Sequence, residues 1–464
     1  MRKFYFLLLF IGVAFTSNAQ FGPQQVISSS LDLAFRAIPV DLDNDGYIDL
    51  LSGSLGSEIV WFRNLDGKGS FSDEIFIENI PGMQSLSLFD LDADNDMDIL
   101  YEVTNTPELG WMENLDGMGS YSSRNIISLG SYIYSSHFAD LDGDGDLDVI
   151  AIIPSFSIVW FENLDGHGSF SSAIEVDNNL DLDLVFTVFD LDNDGDMDII
   201  AGIHIIYNSV VVWYENIDGQ GTFSERQEIY ELTLSSDPIH LTGISHADVN
   251  GDSKIDIVLT SHSDEIFIYD QILWIENLDG NGLFSSSNHI LSDPNSVGAV
   301  VPADVDDDGD VDLLYFDSLS GGFIGWFKNR DGLGGFSELR VISTQVISPR
   351  YISTADIDGD GFTDIVSASA FDNKVAWYRS SGVFSIDDNY LFDVLIYPNP
   401  TTGILTIKSQ KGISEIEIYN QLGQLVLSNS SQNTIDISSV SQGLYLMKIT
   451  NQQGNFGISK IIKK

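Results

Sequence analysis

Asp140-Leu-Asp-Gly-Asp-Gly-Asp-Leu-Asp148 is a nine-residue stretch with carboxylates at positions 1, 3, 5 and 9 and a glycine at position 6. Related stretches start at Asp41, Asp90, Asp190, Asp248, Asp304 and Asp356, so the pattern occurs seven times, with successive starts 49, 50, 50, 58, 56 and 52 residues apart. An acidic loop returning at this period predicts a repeat architecture, in which each period is one supersecondary unit that buries its apolar face only against its neighbours.

The loop is also a candidate cation site. Carboxylates at positions 1, 3 and 5 converge when the backbone curls tightly, and a glycine at position 6 permits the positive φ that such a curl needs. Calcium takes six to eight oxygens in flexible geometry. Without a cation, so many carboxylates in one loop repel one another. The expected ligands are Asp41, Asp43, Asp45 and Asp49; Asp90, Asp92, Asp94 and Asp98; Asp140, Asp142, Asp144 and Asp148; and Asp190, Asp192, Asp194 and Asp198. The remaining loops offer Asp248, Asn250, Asp252 and Asp256; Asp304, Asp306, Asp308 and Asp312; and Asp356, Asp358, Asp360 and Asp364. About seven calcium ions are thus expected, each closed off by the ninth residue with both oxygens. An EF-hand is excluded, because its twelfth position is a glutamate and Asp41 leads to Ser52. A solvated acidic turn is the alternative, and seven in-phase copies argue against it. The copies are not equal. Asn95 replaces the glycine in one loop, and the Asp248 loop has Asn250, Ser253 and Lys254 at positions 3, 6 and 7, so it is expected to be the weakest.

A second motif runs in step with the first. Trp61-Phe-Arg-Asn-Leu-Asp-Gly-Lys-Gly-Ser-Phe71-Ser72 recurs at Trp111, Trp160, Trp213, Trp274 and Trp326, and in shortened form at Trp377. The residues around each tryptophan alternate as in a strand, and Asn-x-Asp-Gly-x-Gly reads as a plain hairpin turn. One repeat therefore predicts four short strands, for example over 135–139, 149–152, 158–162 and 173–176. Four strands repeated seven times predict an all-β chain: a seven-bladed β-propeller over 20–385, a linker over 386–393 and a small C-terminal β-sandwich over 394–464. The tryptophans and Phe-Ser pairs are read as blade packing. The seventh repeat breaks off after Ser385, while Phe21–Ser28 matches the fourth-strand pattern of Phe336–Ser343. The first strand is therefore expected to complete the last blade and remove the open edges.

The formal net charge is −50. Residues 20–393 hold 12 basic and 67 acidic groups, whereas 394–464 hold six and three. Such a field disfavours nucleic acid and anionic membrane surfaces, and a 43% hydrophobic content argues against disorder. There is no cysteine, so stapling falls to the metal ions. Residues 1–19 read as a secretory signal, with Arg2 and Lys3, an apolar run from Phe4 to Phe15, and cleavage after Ala19. That run is too short to span a bilayer, and no transmembrane segment is expected. The fourth and fifth repeats are longer than the rest, and His240, His246, His262 and Tyr269 lie in or near the extra residues. A metal or catalytic cluster there is one reading; structural or solvated side chains are the plainer one.

The acidic loops and Trp…Asn-x-Asp-Gly segments resemble the FG-GAP/VCBS-type repeat family over about 21–384. The resemblance implies a seven-bladed propeller and carries the family's calcium ligands onto loop positions 1, 3, 5 and 9. The Phe-Gly…Gly-Ala-Pro signature is missing, so integrin-like ligand choice is not implied. Residues 393–464 resemble the type A C-terminal sorting domain of the type IX secretion system of Bacteroidetes, through Tyr397-Pro-Asn-Pro400, Ile418-Tyr-Asn-x-x-Gly423, Gly443-Leu-Tyr445 and the basic end Lys460–Lys464. This resemblance implies the type IX machinery as a partner, a secreted or outer-surface location, and a tail that is removed or exchanged for a lipopolysaccharide anchor. The expected function is a monomeric, non-catalytic calcium-binding module for a glycan or protein. A calcium-dependent polysaccharide lyase is the alternative; it needs a base and a cationic or metal site, for which Lys254 and His246 are the residues to watch. A spacer without a specific ligand is a third reading.

Overall fold

A computed structural model describes residues 20–103, 107–129, 133–153, 157–178, 180, 185–205, 208–232, 239–263, 270–285, 288–293, 297–318, 322–380, 395–397, 401–408, 412–420, 425–430, 433–451 and 456–464. The expected signal over 1–19, the linker, Tyr269 and residues 398–400 of the Tyr-Pro-Asn-Pro segment lie outside the described residues. The chain divides into two compact units, Phe21–Gly382 and one that contains Val383–Lys464.

The larger unit consists of seven four-stranded antiparallel sheets in sequence order. We number them as blades one to seven, over residues 34–79, 83–129, 135–177, 185–232, 239–293, 297–343 and 349–378. In blade three the strands are Ser135–Ala139, Asp148–Ile153, Ser157–Phe161 and Ile174–Asp177, with Ser136 opposite Ala151 and Ile150 opposite Trp160. The second strand is buried along almost its whole length. A strand covered on both faces needs no polar alternation, which is why Val149-Ile-Ala-Ile152 reads as a continuous apolar run. The fourth strand is largely exposed and carries Glu175 and Asp177, the charged edge that a blade presents to solvent.

Burial lies between blades. Leu91, Leu100, Leu109 and Trp111 of blade two pack with Val149, Ala151, Val159 and Phe161 of blade three. Equivalent clusters join every consecutive pair, and the last joins Leu50, Val60 and Phe62 of blade one to Val366, Val375 and Trp377 of blade seven. The sheets therefore form a closed ring. Strand β1 (Gln25–Ser28) closes it as expected, pairing with the Lys374–Tyr378 strand so that Gln25 faces Trp377 and Val26 faces Ala376. Phe21 bridges Ser380 as Phe71 bridges Asn64 in blade one, so residues from the start of the chain stand where each other blade has its own fourth strand.

The smaller unit has a three-stranded sheet (Leu395–Tyr397, Ile404–Lys408, Thr434–Asp436) and a four-stranded sheet (Leu425–Ser430, Ile413–Tyr419, Gly443–Asn451, Phe456–Lys463). Leu405 and Ile407 of the first share one buried cluster with Ile416, Ile418, Met447 and Ile449 of the second. Among the described residues no helix is long and apolar enough to cross a membrane.

Candidate metal-binding loops

In every blade the acidic loop joins strands one and two, and in blades one to six the Asn-x-Asp-Gly turn joins strands three and four. Antiparallel pairing brings both to the same end of the sheet, so one face of the ring carries the seven loops beside the turns.

Each loop is shaped by its own first aspartate. The N–H groups of Asp45 and Gly46 donate to Asp41 Oδ1 and Oδ2 at 3.1 and 2.9 Å, and Tyr47 N donates to Asp45 Oδ1 at 3.0 Å. The first two bonds recur in the loops of Asp90, Asp190, Asp248, Asp304 and Asp356. In the Asp140 loop, Gly143 N takes the place of the position-5 donor. Position 6 takes positive φ as expected, and so does position 4, which the sequence reading missed: Asn44, Ala93, Gly143, Asn193, Gly251, Asp307 and Gly359 all lie between +55° and +73°. The signal was the Asn, Gly and Asp bias at position 4, since these residues visit the left-handed region most readily.

This curl brings carboxylate oxygens within 4.8 Å of one another in the trios Asp41/Asp43/Asp45, Asp90/Asp92/Asp94, Asp140/Asp142/Asp148, Asp190/Asp192/Asp194 and Asp304/Asp306/Asp308. The position-3 side chains point inward: Asp43, Asp92, Asp192, Asp306 and Asp358 each hold a buried Oδ1 without a hydrogen-bond partner. A buried carboxylate oxygen left unpaired among other carboxylates is costly, and a cation among them would satisfy it. The residues present therefore fit a hard cation with oxygen ligands. The Asp248 loop departs from the pattern: Asn250 donates to Glu276 at 3.1 Å, and Lys254 Nζ lies 2.7 Å from Asp252.

The ninth aspartates are placed differently. Asp148 is 1% exposed and accepts Leu141 N at 3.0 Å and Asn163 N at 2.8 Å, one on each oxygen. Asp98, Asp198, Asp256, Asp312 and Asp364 repeat this arrangement, and Asp49 accepts Asn64 N and Trp61 Nε1. Both oxygens expected to face a cation thus already fasten the loop to the turn of the same blade. Burial outweighs these donors and pushes the carboxyls up, to about 6 for Asp49, about 7 for Asp98, Asp148, Asp198, Asp256 and Asp364, and about 8 for Asp312.

The turns also do more than reverse the chain. The Asn163, Asn216, Asn277 and Asn329 amides donate to Leu91, Leu141, Leu191 and Val249 O, each in the preceding blade, and Asn64 donates to Ile357 O of blade seven. The second turn glycine lies against the tryptophan of that preceding blade. A Cβ on Gly168 would stand 2.1 Å from Trp111, and one on Gly69 would stand 2.2 Å from Trp377.

The histidines of the longer repeats do not form one cluster. His240 stacks on His204 with centroids 4.6 Å apart and faces His262 across the sheet. His246 instead stacks on Phe189 and meets Thr187 Oγ1 at 3.0 Å. Lys254 lines a cleft of about 240 Å³ with Asp190, Asp192, Asn193, Ser253 and Asn281, between the loop of blade four and blade five.

Comparison with known proteins agrees with the repeat architecture and the fold. The model of the FG-GAP-like repeat matches residues 41–101, 103–151 and 248–315, and that of the secretion system C-terminal sorting domain matches residues 395–464. A curated relative, described as ulvan lyase NLR42 of Nonlabens ulvanivorans, is 29% identical over 103 residues, 21% of this chain. The chain spans only about a fifth of that relative's length, 19%. Among solved structures, BBS1N in complex with ARL6DN is similar with a TM-score of 0.50 at 9% identity, covering 78% of this chain and 96% of that one. An Agrocybe aegerita lectin that recognises non-reducing terminal N-acetylglucosamine gives a TM-score of 0.48 at 18% identity, over 68% and 81% of the two chains. The first likeness concerns the fold alone. The chain is a propeller that contains FG-GAP-like repeats within residues 41–151 and 248–315 and carries a type IX secretion sorting domain over 395–464, and that domain marks it as secreted or displayed at the cell surface.

Proposed function

We propose that the propeller is a calcium-stabilised, non-catalytic binding module that works outside the cell, engaging a glycan or a protein through its loop face. Residues 1–19 serve as the export signal, and the C-terminal unit addresses the chain to the type IX machinery. The observation that carries the calcium reading is the buried, unpartnered Oδ1 of the third loop residue, present in five blades and aimed among neighbouring carboxylates. The loop carboxylates at positions 1, 3 and 5 would hold the ion, with the ninth beside them. Bound calcium would offset mutual repulsion and tie each loop to the ring. With a Kd of about 10 μM and about 1 mM calcium, linkage gives about 2.7 kcal/mol per occupied site. Binding of a partner is supported by the polar cleft beside the blade-four loop and by Leu65, Leu115, Leu164, Ile217 and Leu278, which the turns expose on the same face.

Thermal unfolding of the exported chain in calcium and after chelation, together with a count of bound ions, tests the first half of this reading. A large loss of melting temperature on chelation is expected; an unchanged transition with no bound ions would sink it. Glycan and protein arrays with calcium-loaded chain test the second half.

A carbohydrate lyase is the second reading, prompted by the relative described as an ulvan lyase. Against it, Lys254 is held at Asp252, which raises its pKa, so it is a poor base at neutral pH. Burial lowers the pKa of His246, and its ring is engaged by Phe189 and Thr187. Release of unsaturated sugar ends from acidic polysaccharides would establish the lyase over the binding module.

A further inference from the structure

The second residue after each tryptophan occupies one equivalent place beside the acidic loop. Its backbone N–H donates to the serine of the Phe-Ser or Tyr-Ser pair at 2.9–3.0 Å in blades one to six. The side chain that this register delivers is not the same around the ring. It is Arg63 in blade one, Glu113, Glu162, Glu215 and Glu276 in blades two to five, Lys328 in blade six and Arg379 in blade seven.

The two kinds of side chain meet the loop in opposite ways. Arg63 Nη2 lies 2.6 Å from Asp43 and 3.0 Å from Asp45. Lys328 Nζ bridges Asp306 and Asp308, the latter at 2.8 Å. Arg379 bridges Asp358 and Asp360, the latter at 2.9 Å. Each cation spans loop positions 3 and 5, where an ion would have to sit. In blades two, three and four the same place holds a further carboxylate, and Glu113, Glu162 and Glu215 add their repulsion at Asp92, Asp142 and Asp192. Among the described residues no side-chain cation pairs with these three aspartates. An unpartnered, buried Oδ1 at position 3 occurs in both kinds of loop, at Asp92 and Asp192 and at Asp43, Asp306 and Asp358, so the cation pairing of the neighbouring oxygens is what sets the two apart. Blade five stands apart, because Glu276 accepts from Asn250 and Lys254 already neutralises Asp252.

We propose that the loop face holds two classes of loop: those of blades two, three and four each take a calcium ion, with Glu113, Glu162 and Glu215 completing the acidic cup, whereas Arg63, Lys328 and Arg379 act as built-in cations that stand in for the ion in blades one, six and seven. The inference rests on the calcium reading above and narrows it from about seven ions to three tight ones. The self-neutralised loops are consecutive around the ring, since blades six, seven and one adjoin. The arc that contains the closing strand β1 therefore holds together without metal, and the opposite arc requires it.

Counting tightly bound calcium per full chain by equilibrium dialysis at about 10 μM free ion, within the range of regulatory protein sites, tests this. Three ions are expected, with any further binding at least tenfold weaker. Arg63→Glu should raise the tight count to four, and Glu113→Arg should lower it to two. Arg63→Gln and Glu113→Gln, which leave the backbone register untouched, should shift the affinity of one site in the same directions if either charge reversal fails to fold. Seven equivalent ions, or a count indifferent to these substitutions, would overturn the inference while leaving the calcium reading standing. No bound ion at all would overturn both.

Discussion

Every acidic loop has an outer and an inner end, both made of aspartate, and the two ends behave as different residues. At the outer end, the carboxylates of positions 1, 3 and 5 converge in the loops of Asp41, Asp90, Asp190 and Asp304, while in the Asp140 loop Asp140 and Asp142 converge with Asp148, and Oδ1 of position 3 lacks a hydrogen-bond donor in five loops. At the inner end, the ninth aspartate is sealed from water and has a backbone donor on both oxygens. The same side chain thus faces other carboxylates at one end and backbone donors at the other. What distinguishes them is the supply of N–H groups: strand ends and turn converge on position 9, while the curl at positions 1–6 spends its N–H groups on the first aspartate.

The inner end should give the largest effect. Asp148→Ala leaves Leu141 N and Asn163 N buried without an acceptor and is expected to cost about 3 kcal/mol, with or without calcium, in urea unfolding. If the cost disappeared under chelation, the inner aspartate would be acting through the ion and the comparison would fail. Asp142→Asn at the outer end is expected to remove the calcium-dependent stabilisation of one site, about 2.7 kcal/mol at a hundredfold excess of calcium over Kd, and to change little in chelator.

Protonation separates the two ends again. The inner carboxyls have folded-state pKa values raised from the usual carboxylate range to about 6 to 8. A carboxyl raised on folding contributes stability that is complete below its unfolded pKa and lost as pH rises through its folded one. Metal-free protein should therefore be more stable near pH 5 than near pH 8, as read by melting temperature across that range. Calcium, which favours ionised carboxylates, should flatten the slope. A metal-free profile that rises towards pH 8 would contradict the raised values. The smallest effect belongs to the curl itself: Ala93 sits at φ 61°, so Ala93→Gly should gain about 0.5–1 kcal/mol, where the same change in a strand would lose stability.

The period of the acidic loop, the tryptophan in step with it and the Phe21–Ser28 match were enough to read the ring and its closure from the sequence, because each is a local pattern repeated in phase. The candidate site was legible only in part. Spacing marks Asp148 as a carboxylate but not which donors will reach it, and those come from Leu141 on one side and Asn163 on the other. The amide of Asn163 reaches Leu91 O, 72 residues upstream, a partner that no window around the turn contains. Position 4 was hidden by its variety, since Ala93 stands where other loops have Asn, Gly or Asp. The backbone sets the requirement there, and the residue tolerates it.

The pairing of β1 with the Lys374–Tyr378 strand also sets an order of events. Two segments some 350 residues apart must meet before the seventh blade has its fourth strand, and closing a chain loop of that length costs about 5 kcal/mol in entropy. The other six blades can assemble from neighbouring hairpins, but this last joint waits for nearly the whole propeller to be in place. A chain held extended during transport would arrive with its earliest strand unengaged, and the ring would lock only once both ends had come through together.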